Sequence, residues 1–191
     1  MANENTYCPK DPSDWRKWLN ENHQSSQPVW LIYYKSTSEH YNLSWSEAVD
    51  EALCFGWIDS TRKTIDGERF KQLFSKRKPK SGWSKINKEK VDRLIDEQRM
   101  TKAGHEAIEV AKQNGYWNLY NEVDQMIIPE DLAAALVARP NAKAFFDALS
   151  PSAKKAILGW IVLAKRTETR EKRIAEVASR AEKGLKPKQF P

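Results

Sequence analysis

The stretch from Ser44 to Ser60 constrains this chain more than any other. Ser44 is a natural helix N-cap, and Glu47 three residues later completes a capping box. Trp45, Val49, Ala52 and Leu53 recur at helical spacing and predict one apolar face. Gly56 falls where that helix must stop, because glycine enters the left-handed conformation without a Cβ penalty. Trp57 and Ile58 then open an extended run. The corner Cys54-Phe55-Gly56-Trp57 is built to be buried, and Asp59, Ser60 and Arg62 are the first polar groups beyond it.

Around this corner the remaining elements can be read in order. Asp11-Pro12 starts a helix striped by Trp15, Trp18 and Leu19 and ending near Asn22. Val29 to Lys35 is β-branched and aromatic, hence a strand. After a polar loop, Ser36 to Leu43, and the organising helix, Trp57–Ile65 and Glu68–Lys76 read as two strands turning at Asp66-Gly67. Phe70, Gln72 and Phe74 share one parity in the second strand, and Leu73 has the other. From Asn87, expected as a helix cap, the pattern is helical to the end. Ser150-Pro151 pairs an N-cap with an N1 proline and opens a helix through Lys165. A last amphipathic helix spans about Thr169 to Lys183, and Leu185 to Pro191 reads as a frayed tail. The expected fold class is therefore α+β: a small three-stranded antiparallel sheet with helices, followed by a helical C-terminal half. The regions are 1–125 and 126–191, the second packed on the first as one compact unit.

Charge is distributed in blocks. Residues 1–59 carry nine acidic and four basic side chains, and residues 60–102 carry six and fourteen. Residues 103–153 carry seven acidic and three basic, and residues 154–191 four and eleven, within a net charge of +6. Such alternation suits internal charge matching or two basic patches facing an anionic partner. The two cysteines, Cys8 and Cys54, make no disulfide framework. No apolar run approaches the ~18 residues of a membrane span. Met1 to Lys10 lacks the apolar core of a secretory signal, so a cytoplasmic location is expected.

Four blocks carry a resemblance to a known family. They are Ala52-Leu53-Cys54-Phe55-Gly56-Trp57-Ile58-Asp59-Ser60, then Ser81-Gly82-Trp83-Ser84-Lys85-Ile86-Asn87, then Arg99-Met100-Thr101-Lys102-Ala103-Gly104, and finally Ala164 to Ile174. In this order, over nearly the whole chain, they resemble the YdeI/OmpD-associated, or bacteriocin-protection, family. One departure is Ser75-Lys76-Arg77-Lys78, where that family tends to have a proline before the basic pair. The resemblance implies a cytoplasmic bacterial protein linked by name to tolerance of cationic antimicrobial peptides. It implies no reaction, no cofactor and no catalytic residue.

Chemistry-bearing residues are few. His23, His40 and His105 lie on different elements, none at zinc-ligand spacing with a cysteine, so no metal is expected. Cys54 has apolar neighbours and reads as a core thiol rather than a nucleophile. Asp59 and Arg62 read either as forming a salt bridge to another block or as a ligand-orienting pair in a tryptophan-lined cleft, with Trp57 a candidate wall. Trp83, among Lys76, Arg77, Lys78, Lys80 and Lys85, reads as packing or as an aromatic platform in a basic loop of the kind single-strand nucleic-acid binders use. Arg166, Arg170 and Arg173 flank the start of the last helix, whose bare N–H groups favour an anion; Thr167 and Thr169 are its candidate caps. The expected function is thus a non-catalytic, stress- or resistance-associated protein that binds a small anionic ligand or a protein partner. The alternatives are an enzyme for a small anionic substrate and a nucleic-acid-binding regulator.

Overall fold

A computed structural model describes residues 4–190. Residues 1–3, at the start of the segment read for a leader, and residue 191, at the end of the expected tail, lie outside the described residues. The chain divides into two compact units, Met1–Trp117 and Asn118–Pro191.

The first unit runs β1 (Thr6–Tyr7), α1 (Pro12–Asn22), β2 (Val29–Tyr34), α2 (Trp45–Cys54), β3 (Trp57–Thr64), β4 (Arg69–Lys76), α3 (Lys85–Asp96) and α4 (Lys102–Gln113). The strands form one mixed sheet in the order β1-β2-β4-β3. β4 lies antiparallel to both β2 and β3, so α2 carries the chain between two parallel strands and β4 fills the space between them. The α+β class is as expected, but the sheet has four strands rather than three and is not wholly antiparallel. Thr6 and Tyr7 pair in parallel with Trp30 and Leu31. Two residues are too few to show alternation, and that pairing exists only because the chain end returns alongside β2.

Register decides which side chains face the helices. Val29, Leu31 and Tyr33 of β2 stand opposite Phe74, Gln72 and Phe70 of β4. That face packs with Trp15 and Leu19 of α1 and Ala48, Val49, Ala52 and Leu53 of α2 into the unit's core. On β3 the register shifts between Asp59 and Arg62, so Asp59 opposes Phe74 and Arg62 opposes Gln72. Three steps on β3 against two on β4 make a β-bulge, and it turns Arg62 to the same face as Asp59. Strict alternation would have aimed the two apart.

Local signals explain most helix starts. The capping box at Ser44 and Glu47 closes both ways, at 3.1 and 2.8 Å. Ser84, not Asn87, caps α3 and accepts from the Asn87 N–H at 3.4 Å. The β3–β4 turn spans residues 65–68, longer than a two-residue hairpin, because the Asp66 carboxylate binds the N–H groups of Glu68 and Arg69. Trp45, expected on the apolar face of α2, points outward and is 44% exposed. The buried side of α2 instead includes Asp50 and Glu51, whose ion pairs reach α1, α3 and Arg99.

Gly56 takes φ +71°, and its backbone lies against α4: a Cβ there would sit 2.9 Å from the Ala103 carbonyl oxygen and 3.0 Å from the Ala107 Cβ. Gly56→Ala should therefore destabilise the protein by about 2 kcal/mol, from left-handed strain together with that contact. Urea unfolding monitored by circular dichroism measures it, and a variant as stable as the parent would refute the corner geometry.

The second unit is helical: α5 (Asn121–Asp124), α6 (Glu130–Val137), α7 (Ala142–Ala148), α8 (Pro151–Val162) and α9 (Thr167–Ala181). Leu132, Leu136, Phe146, Ile157, Ile161, Ile174 and Val177 form its own core. Ser150 caps α8 as expected, whereas α9 begins after Arg166 with no side-chain cap hydrogen bond. The expected frayed tail is docked. Glu176 accepts from the Lys188 N–H at 2.9 Å, Arg180 donates to the Lys186 carbonyl, and Phe190 packs edge-on against Trp160.

Candidate anion-binding cleft

The corner after α2 leaves the Cys54 carbonyl without an intrahelical donor. Thr101, at the start of α4, supplies both its N–H (3.1 Å) and its hydroxyl (2.7 Å) to that oxygen. Three residues on, Gly104 lets the backbone of α4 approach the same carbonyl closely. Thr101-x-x-Gly104 thus suspends α4 from the corner, and the small side chains Ala103, Ala107 and Ala111 turn toward it. Burial raises the Cys54 thiol above its ordinary range, so it is not primed as a nucleophile.

Between this face of α4 and the Phe55-Gly56 corner lies a cleft of about 480 Å³. Val110, Pro79 and Trp83 complete its apolar walls, and Lys76, Arg77 and Lys78, at the end of β4, line it from the strand side. The Arg77 N–H binds the Gly56 carbonyl at 2.9 Å, Nη2 donates to Gly82 at 2.8 Å, and the guanidinium lies 3.7 Å over the Trp83 ring. Trp83 is 1% exposed and sits 5.1 Å from Trp117. Its ring is covered, so it walls the cleft and offers no open platform for a base, the role weighed for it above. Lys76 and Lys78 are exposed and form no ion pair among the described residues. Glu106 is the one acidic side chain in the lining among the described residues.

The other sequence-predicted residues fall elsewhere. Trp57 is wholly buried, donates its indole N–H to the His23 carbonyl at 2.9 Å and packs edge-on to Trp18. Asp59 and Arg62 share a face but do not pair with each other. Asp59 accepts from the Trp45 indole (2.9 Å) and the Gln72 amide (2.8 Å), and Arg62 stacks 3.8 Å over Phe70. In the second unit Arg170 grips Asp131 with two hydrogen bonds, 2.6 and 2.9 Å, which hold the Asp131 carboxyl below its ordinary range. Arg173 donates to the Trp160 carbonyl and lies 4.9 Å over that ring. Arg166 occupies the α9 N-cap position and is exposed. The expected cluster of three arginines is therefore largely committed to holding the second unit together. Sequence reasoning missed the alanine wall of α4, since Ala103, Ala107 and Ala111 at helical spacing look the same whether they pack or line a cleft.

Residues 7–107, more than half of the chain, match the family model described as "Domain of unknown function (DUF8412)", and the chain belongs to that family. Residues 125–184 match the model described as "Bacteriocin-protection, YdeI or OmpD-Associated". The resemblance seen in the sequence is thus shown for the second unit, where the block Ala164 to Ile174 lies. The other three blocks fall within the first match. Among curated proteins and among solved structures, no match to the chain was found.

Proposed function

We propose that this chain is a non-catalytic binding protein whose first unit takes a small organic anion with an apolar body into the Gly56 cleft. One observation carries the reading: apolar walls enclosing about 480 Å³ open beside two exposed lysines, Lys76 and Lys78, that hold no ion pair among the described residues. That volume is within the ~300–1,000 Å³ of small-molecule sites, and the pairing of apolar walls with a few placed charges is their usual chemistry. Among the described residues the lining holds no histidine or cysteine, and its one hydroxyl, Ser26, has no hydrogen bond to its one carboxylate, Glu106. The anion's apolar portion lies against Ala107, Val110 and Pro79, and its charge meets the lysines. The words bacteriocin-protection in the description of the second unit's match motivate a resistance-associated role; the stress role and the cytoplasmic location are part of this proposal.

Thermal shift with octanoate, an indole carboxylate and their neutral amides tests this, since a ligand that binds only the native state raises Tm. The acids should raise Tm and the amides should not. The Lys76→Ala/Lys78→Ala variant should lose the shift, and Ala107→Trp should block it by filling the cleft. Equal shifts for acids and amides, or none for the acids, would refute the proposal.

A further inference from the structure

The first unit carries a second groove that the cleft reading leaves unused. Tyr41, Trp45, Arg62 and Phe70 line it together with residues 34–37, and its volume is about 380 Å³. Two of its aromatic rings reach solvent, Trp45 at 44% and Tyr41 at 46% exposure. A large aromatic on a surface would ordinarily be free to rotate. Here the Trp45 indole is locked, because its N–H binds Asp59 Oδ2, and the same oxygen accepts from the largely buried Gln72 at 2.8 Å. The facing loop is held too. Asn42 accepts from the Tyr34 N–H at 3.1 Å and donates to the carbonyls of Pro9 and Ile32. Both walls are thus preorganised without a ligand.

Arg62 supplies the charge. The bulge brings it to this face, and its guanidinium carbon lies 3.8 Å over the centre of the Phe70 ring. Stacking occupies the face of a guanidinium and leaves its in-plane N–H donors at the edge. Those donors have no hydrogen-bond or ion-pair partner among the described residues. By contrast Arg16, Arg69, Arg93, Arg99, Arg139 and Arg170 all hold carboxylates. Lys35 adds a second cation, and Ser36 and Thr37 add hydroxyls.

A locked indole face beside a guanidinium with open donors fits a planar ring that carries an anion. We infer that this groove binds a nucleotide: the base stacks on Trp45 and Tyr41, the phosphate takes the Arg62 edge, and the sugar faces Ser36 and Thr37. The Asp59 carboxylate, which lies at Trp45, repels the phosphate from that side and sets the ligand's polarity along the groove. The groove is independent of the Gly56 cleft, so either assignment can stand without the other.

Calorimetry on the full chain tests it with AMP, adenosine, inorganic phosphate, a short poly-dT strand and a neutral disaccharide. AMP should bind saturably, and adenosine about tenfold more weakly for want of the charged hydrogen bond. Phosphate alone and the disaccharide should not bind. Arg62→Gln should weaken AMP about tenfold and leave adenosine unchanged; Trp45→Ala should weaken both, with circular dichroism confirming the fold. Lys76→Ala/Lys78→Ala should change nothing here. A poly-dT affinity well above that of AMP would assign the nucleotide to a single strand, and parity with AMP would assign it to free nucleotides. No saturation by AMP or poly-dT, an Arg62→Gln variant that binds AMP normally, or a disaccharide that binds as well as AMP would each overturn the inference.

Discussion

Gly104→Ala should destabilise the first unit by about 3 kcal/mol or more, although it places a better helix former inside a helix. On propensity alone alanine gains about 1 kcal/mol over glycine at an interior helical position. The structure reverses that sign. A Cβ on Gly104 would lie 2.4 Å from the Cys54 carbonyl oxygen and 2.9 Å from its carbon. Both are backbone atoms, and the oxygen is pinned by the two Thr101 donors, so neither can swing aside. α4 would have to move outward, which breaks the Thr101 bonds and opens the cleft wall. A drop in Tm of about 10 °C is expected, at roughly 3–4 °C per kcal/mol for a unit of this size. A stabilised Gly104→Ala would show that propensity wins and that α4 does not cross the corner this closely. The same variant should lose binding in the cleft while it keeps nucleotide binding at Arg62, provided it is assayed below its lowered Tm.

Asp50→Ala should cost about 3 kcal/mol, through the partner it abandons. Asp50 is 7% exposed in the middle of α2 and accepts from Lys90 at 2.6 Å and Arg93 at 2.5 Å. Arg93 is largely at the surface and keeps Glu97, so its loss is small. Lys90 has only 12% of its side chain exposed, and without Asp50 its ammonium retains, among the described residues, the Ser46 oxygens. An under-compensated buried cation accounts for most of the cost. The double variant Asp50→Leu/Lys90→Met removes both charges and should recover most of the stability, since apolar isosteres of buried ion pairs are often neutral or better. Denaturant titrations of the two single variants and the double variant close the cycle. If the double variant is as unstable as Asp50→Ala, the network contributes through something other than charge pairing.

These two residues mark the border between what could be read from the chain and what could not. Signals confined to a few neighbouring residues were legible, because their physics is local. Ser44 and Glu47 close a capping box between atoms three residues apart. Gly56 stands at φ +71° because a helix-to-strand corner needs that conformation whatever surrounds it. Ser150-Pro151 starts α8 for the same kind of reason. The acidic and basic blocks suited either internal charge matching or two basic patches, and Glu51 with Arg99 is an instance of the first.

Features that depend on contact between distant segments were not legible. Gly104 looks like a weak point in a helix until the Cys54 carbonyl is brought against it. Asp59 and Arg62 look like a pair, yet a bulge sets one beneath Trp45 and the other over Phe70. Trp45 fits an apolar stripe by spacing, but the groove beside it leaves the ring in solvent, tethered by its N–H. Arg170 looked available for an anion until α6 brought Asp131 to it. The sequence by itself determined the elements, their caps and the buried corner, since dihedral preferences and short hydrogen bonds need only neighbours. The tertiary structure alone decided which charges are consumed and which stay open, because a side chain's partner is chosen by packing across the whole unit.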